Sequence, residues 1–284
     1  MKKTGIFVFL GLLLAIQPIF VNAQGFPGGS DPFSSMNQAF SATEEEFTPE
    51  DEYFLGRAVA ANILAAYKPY TKNGDLTTYV NRICQTLVIN SSRPELFNGY
   101  HVLILDTPEY NAFASPGGHI FITRGLAEAA SSEDALAALI AHEISHIILK
   151  HGVGIIGDMK INEEIADMAR RGAAMSSSAG AQRALAMRNS VSGIVDTMMK
   201  NGYSRPQEFE ADSSAIALLA ASGYDPNGLV DMLKILQRVQ GSQKGGFNST
   251  HPTPQERITN IGNAGTLYRV PDTKAYRTSR FKTK

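Results

Sequence analysis

Apolar residues recur three and four apart from Leu136 through Leu139, Ile140, Ile144 and Ile147 to Ile148, which is the period of a helix that is amphipathic and buried on one side. Ser131 and Ser132 precede this stripe as N-cap residues, and Glu133 and Asp134 place acids in its first turn. Lys150, His151 and Gly152 close it, with Gly152 as the expected C-cap. A second helical pattern opens at Ser204. Pro206 stands near its start, Glu208, Glu210 and Asp212 follow, and Ala215, Ile216, Leu218 and Leu219 continue its apolar run. Upstream the character changes: Val102 to Leu105, begun by His101, and Ile120 to Thr123 have strand composition, and Pro116-Gly117-Gly118 marks a turn. These elements predict an α+β fold, mainly helical, with a small sheet between about His101 and Thr123 packed by the first helix.

The first helix carries His142-Glu143-Ile144-Ser145-His146. A helix advances about 100° per residue, so His142 and His146 project from one face a turn apart and can share a tetrahedral metal. Glu143 is displaced from that face yet close enough to take a proton from water there. HExxH on a helix reads as a zinc hydrolase site, the alternative being a surface helix on which the three residues coincide. Zinc in such a site takes three protein ligands. On the second helix Glu208 and Asp212 share a face, and Glu210 points about 200° away from Glu208.

HExxH followed downstream by ExxxD resembles the zinc metallopeptidases that include the CaaX prenyl protease, HtpX and BepA. The resemblance implies a zincin-like (gluzincin) metallopeptidase domain holding one Zn2+ through His142, His146 and Glu208. It makes Asp212 the carboxylate that orients His142, a pairing that ligating histidines ordinarily have. Glu210 competes for the ligand role but has no partner carboxylate one turn along its face. In similar enzymes a strand matching Gly118, His119, Ile120 and Phe121 is the edge along which an extended substrate pairs; an ordinary hairpin edge is the plainer reading. His251-Pro252 with Arg257 resembles a further element of these enzymes, in which the histidine stabilises the oxyanion or caps the zinc, and His251 is otherwise a loop histidine before a helix. Arg257 pairs with an acid near the site or caps that helix. A zinc endopeptidase acting on unfolded envelope polypeptides is the implied function, and a latent, chaperone-like binding protein stabilised by zinc is the alternative.

The remaining residues set the context. His151, nine residues after His142 and thus about 900° around one continuous helix, falls on the face opposite the ligands. Lys2, Lys3, the apolar run Ile6–Ile16 and Val21-Asn22-Ala23 read as a secretory signal peptide over 1–23, so a soluble periplasmic or secreted chain is expected; a retained N-terminal anchor is the alternative. Residues 24–46 read as a flexible linker, 47–269 as the metallopeptidase domain without a tetratricopeptide array, and 270–284 as a solvated basic tail. Residues 155–203 are a lid or a core hairpin whose charges exclude a membrane span and leave membrane-surface contact open. With 26 basic and 27 acidic residues nothing points to nucleic acid. Cys84, the single cysteine, reads as a small buried apolar residue. Oligomeric state is not set by the sequence.

Overall fold

The computed structural model describes residues 47–158, 195, 199, 200, 202–240 and 251–282. The segments expected to be a signal peptide and a linker, and most of the 155–203 segment, lie outside the described residues. The chain first forms helix α1 (Pro49–Ala66), opened by a reciprocal cap in which Asp51 N–H donates to Thr48 Oγ1 at 3.2 Å and Thr48 N–H donates to Asp51 Oδ2 at 2.9 Å. Helix α2 (Gly74–Val88) follows, capped by Asn73, whose Oδ1 accepts from Leu76 N–H at 3.1 Å.

Strands β1 (His101–Leu105), β2 (Ala112–Ser115) and β3 (His119–Thr123) form a sheet in the order β1-β3-β2. The β1 and β3 strands run parallel from His101 opposite His119 to Leu105 opposite Thr123, and β2 pairs antiparallel with β3 from Ala112 opposite Ile122 to Ser115 opposite His119. The topology corrects one expectation: His119, Ile120 and Phe121 belong to the central strand, with Gly118 in the turn before it, so this segment is not an edge. Backbone accounting shows which edge is open. On β1, the Asn81 amide donates to Val102 O at 2.8 Å and accepts from Val102 N–H at 2.9 Å, and Tyr70 N–H donates to Ile104 O at 2.8 Å. The outer rim of β1 is therefore occupied by α2 and the segment before it. The outer rim of β2 has two partners given among the described residues: Ala112 N–H donates to the adjacent Asn111 Oδ1 at 2.9 Å, and the Tyr203 hydroxyl donates to Ala114 O at 3.2 Å.

After the short helix α3 (Arg124–Ala129), helix α4 (Glu133–Ile148) begins at Ser132, whose Oγ accepts from Ala135 N–H at 3.1 Å. Every residue from Glu133 to Ile147 is buried. Where the sequence pattern predicts one buried face, the structure encloses the helix between the sheet, α2, α6 (Arg205–Ala221) and α7 (Gly228–Gln240). Ala135 and Ala138 fill the expected polar side, and the small side chains of these and of Ala137 and Ala141 let neighbouring elements close in. Gly228 at the start of α7 is one such approach, since a Cβ there would stand 2.5 Å from the Asp134 carbonyl.

The end of α4 also differs from expectation. Leu149 is its C-cap, Lys150 turns the chain at φ 54°, and Gly152 lies inside the next helix, α5 (His151–Asp158), rather than capping α4. A left-handed lysine costs about 1–2 kcal/mol, and Lys150 Nζ reaches the buried Glu52 carboxylate at 3.4 Å across from it. Helix α8 (Pro254–Ile261) packs on α6 and α7. The expected basic tail is not merely solvated. It forms α9 (Lys274–Phe281), pinned to the start of α4 by Arg277 to Asp134 at 2.8 Å and Arg280 to Glu133 at 2.5 Å.

A tight crossing joins α1 to the Pro116–Gly118 turn that leads into β3. A Cβ on Gly56 would lie 1.8 Å from Pro116 O, within backbone that has no flexible end to yield. Gly56→Ala is expected to destabilise the domain by about 1–3 kcal/mol, read as a drop of roughly 3–10 °C in the thermal unfolding midpoint. An unchanged midpoint would mean that α1 can shift without cost.

Candidate metal centre

His142 and His146 lie one turn apart on α4, and α6 sets Glu208 against them. The ring nitrogens His142 Nε2 and His146 Nε2 are 3.1 Å apart. Glu208 Oε2 is 3.5 Å from His142 Nε2, and Glu208 Oε1 is 3.4 Å from His146 Nε2. His251, in the loop before α8, brings Nδ1 to 2.7 Å from Glu208 Oε1. One ligand atom from each of these four buried residues lies within 4.8 Å of all the others. Two imidazoles and a carboxylate are the donor types zinc takes. Two buried carboxylate oxygens of the site, Glu208 Oε2 and Glu143 Oε1, have no hydrogen-bond partner among the described residues, although buried polar atoms are ordinarily satisfied. The residues present therefore fit a divalent cation.

A second layer holds this set from behind. Asp212, one turn after Glu208 on α6, places Oδ1 3.1 Å from His142 Nδ1, so the opposite ring nitrogen faces the donor cluster. Arg257 of α8 grips the same carboxylate, its Nε donating to Oδ2 at 2.9 Å and its Nη2 to Oδ1 at 2.5 Å. The sequence leaves Arg257 between an ion pair and a helix cap; the structure pairs it with Asp212, while Thr253 caps α8. Glu210 points away from the cluster, its side chain 44% exposed, and meets His151.

Burial and charge set the protonation of these groups. Burial pushes the Glu143 carboxyl up to about 7, helped by the Glu208 charge and opposed by His142 and Arg257. Burial alone would raise Glu208 too, but His251 and hydrogen bonds from His142 and His146 outweigh it and hold that carboxyl well below the usual range. Asp212 likewise resists burial, and the Arg257 charge and the His142 hydrogen bond bring it down to about 2. Burial pushes the Cys84 thiol up to about 12, which leaves it inert as the sequence reading expected.

Some residues escaped sequence reasoning. His151 is not opposite the ligand face: because α4 ends and the chain turns at Lys150, its Nδ1 comes to 2.9 Å from His146 Nδ1. Tyr203, just before the Ser204 cap, lays its ring parallel to that of His146 with centroids 4.0 Å apart. An aromatic residue preceding a helix cap is a weak signal, and nothing local links it to a histidine 57 positions earlier. His119 meets Tyr53 rather than the cluster, with ring centroids 5.5 Å apart.

Beside the cluster runs a cleft lined by Val59, Ile63, Phe113 and Met199, with Glu143, Tyr203 and His251 at its inner end. The outer rim of β2 borders it through Ala112 and Ala114. The site thus joins a metal-fitting donor set, a carboxylate poised near neutrality, an apolar groove and an open strand edge.

Comparison with known proteins agrees with this arrangement. Residues 75–264 match peptidase family M48. The chain is 26% identical over 257 residues to a beta-barrel assembly-enhancing protease of Escherichia coli O157:H7, covering 88% of this chain and 50% of that protein. It is 30% identical over 193 residues to the mitochondrial metalloendopeptidase OMA1 of Schizosaccharomyces pombe, covering 65% and 52%. A putative beta-barrel assembly-enhancing protease of Vibrio cholerae is 26% identical over 215 residues, covering 75% and 43%. The chain spans about half the length of these curated relatives.

Proposed function

Because the chain belongs to peptidase family M48, we propose that it is a zinc-dependent endopeptidase that hydrolyses peptide bonds in exported or envelope polypeptides that are unfolded or misassembled. The observation that carries this reading is the convergence of His142, His146 and Glu208 beside Glu143 at the inner end of the β2 cleft. His142, His146 and Glu208 would hold the ion, with Asp212 orienting His142. When bound, zinc supplies Lewis acidity, which eases deprotonation of water and polarises a carbonyl.

The chain's own residues do the rest. Glu143, whose burial raises its proton affinity, takes a proton from the attacking water and passes it to the leaving amine. His251, which lines the same cleft, donates a hydrogen bond to the oxygen on which negative charge develops. The open rim of β2 offers N–H and C=O groups to an extended backbone. Only a flexible or unfolded segment can lie there as a strand, and the apolar groove favours the side chains that such segments expose. The signal-like residues 1–23 support an exported substrate pool. Among the described residues no helix is long and apolar enough to cross a membrane.

A second reading has its own support. His251 lies within the donor cluster and can complete a closed four-ligand site, which would make the chain latent or a zinc-stabilised binding protein. Casein, which is unfolded, and a stably folded globular protein should be offered to the zinc-loaded chain, to a chelated sample and to a His251→Ala variant. We expect zinc-dependent cleavage of casein, sparing of the folded protein, and a loss of about 10²-fold in the variant. Cleavage that rises in His251→Ala supports the capped reading, and intact casein in every zinc-loaded sample rejects the peptidase.

A further inference from the structure

His146 has two ring nitrogens, and only one of them faces the donor cluster. Its Nε2 lies near His142 and Glu208, while Nδ1 lies 2.9 Å from His151 Nδ1. On its other side, His151 places Nε2 3.3 Å from Glu210 Oε2. The rings are fixed where they stand: His151 is 3% exposed, and Tyr203 stacks on His146 at 4.0 Å with 14° between the ring planes. The left-handed turn at Lys150 is what sets His151 against His146, because an uninterrupted helix would carry it to the far face.

The hydrogen positions along this line have one consistent solution. A histidine that offers the Nε2 lone pair to a cation carries its hydrogen on Nδ1. His146 Nδ1–H then donates to His151, whose Nδ1 must accept. His151 accordingly carries its hydrogen on Nε2 and donates it to the Glu210 carboxylate. Every donor meets an acceptor, and the chain ends on an oxygen near solvent, since the Glu210 side chain is 44% exposed.

We propose that His151, backed by Glu210, is a positioning residue that fixes the tautomer and ring orientation of His146, as Asp212 backed by Arg257 does for His142. The proposal rests on the reading of His146 as a zinc ligand. It gives each histidine of the HExxH pair its own outer partner, reached from a different element: α6 for His142 and α5 for His146. Glu210, a competitor for the ligand role on sequence grounds, acquires a different task on the reverse side of the site.

The test compares the wild-type chain with His151→Leu, His151→Asn and Glu210→Ala. Two quantities are read: the zinc dissociation constant, by competition with a chromophoric chelator, and the visible spectrum of the cobalt-substituted protein. His151→Leu keeps the packing but removes the acceptor, and should weaken zinc about 10–100-fold and shift the cobalt bands. His151→Asn returns an acceptor oxygen near the position of Nδ1 and should restore most of the affinity and the wild-type bands. Glu210→Ala, at a partly exposed position, should give a smaller loss in the same direction. Wild-type affinity and spectrum in both His151→Leu and Glu210→Ala would overturn the proposal. Equal losses in His151→Leu and His151→Asn would overturn it too, because they mark a packing role. Should His151→Leu fail to fold, a wild-type result for Glu210→Ala overturns it. A wild-type chain that binds no zinc instead rejects the metal reading itself, so the two failures are distinct.

Discussion

Replacing Glu143 by glutamine should lower peptide hydrolysis about 10³-fold while one zinc per chain and the unfolding midpoint are retained. The side chain is 1% exposed, and the amide has nearly the carboxylate's shape, so the substitution removes proton transfer and little else. Its position explains the size of the effect. Glu143 follows His142 directly on α4, opens onto the β2 cleft, and is not among the four residues whose ligand atoms converge. Burial has already raised its carboxyl towards neutrality, where a general base works best at physiological pH. Hydrolysis of casein at the wild-type rate by Glu143→Gln would remove Glu143 from the mechanism. Parallel loss of zinc would show that it holds the metal instead.

The largest effect on stability is expected at Arg257. Its side chain is 1% exposed and Asp212 is fully enclosed, so Arg257→Met leaves a carboxylate buried without its countercharge. Breaking a buried pair by removing one partner costs about 3–5 kcal/mol. For a domain of this size the unfolding midpoint should fall by about 10–15 °C. The site should suffer with the fold, because Asp212 freed from Arg257 no longer holds His142 Nδ1 in one place, and zinc affinity should drop as well. The double variant Arg257→Met with Asp212→Asn should recover part of the stability, since the stranded charge is gone. If Arg257→Met unfolds within 2–3 °C of wild type, roughly 1 kcal/mol, the pair contributes far less than its burial implies.

The sequence displayed some of this clearly and hid the rest for physical reasons. Helices α4 and α6 were legible because periodicity and capping are local, and because a four-residue spacing fixes which side chains share a face. Ser132 caps α4 as its position predicts, and α6 starts after Ser204, whose N–H donates to Gln207 Oε1 at 3.0 Å. The α+β class followed from the same local signals. Strand order did not, because the placement of β3 between β1 and β2 depends on pairings between distant segments. The edge position expected of Gly118 to Phe121 therefore belongs to β2, the neighbour on the cleft side.

His151 shows a subtler limit. An uninterrupted helix would carry it to the face opposite the ligands, and a single left-handed residue at Lys150 resets the geometry. Nothing in the local composition marks that lysine for a conformation usually left to glycine. Arg257 was legible as a charged residue near a helix start, but its partner is set by how α8 packs on α6. The basic C-terminal segment looked solvated because charged side chains usually are, yet two acids in the first turn of α4 give Arg277 and Arg280 buried partners.

The location of the metal decides whether His142, His146 and Glu208 form the reactive centre. Anomalous diffraction at the zinc edge, from crystals of zinc-loaded chain that cleaves casein, tests it directly. A single strong peak bounded by His142, His146 and Glu208 is the predicted result. A peak elsewhere, or none at that cluster in protein that still cleaves, would contradict it.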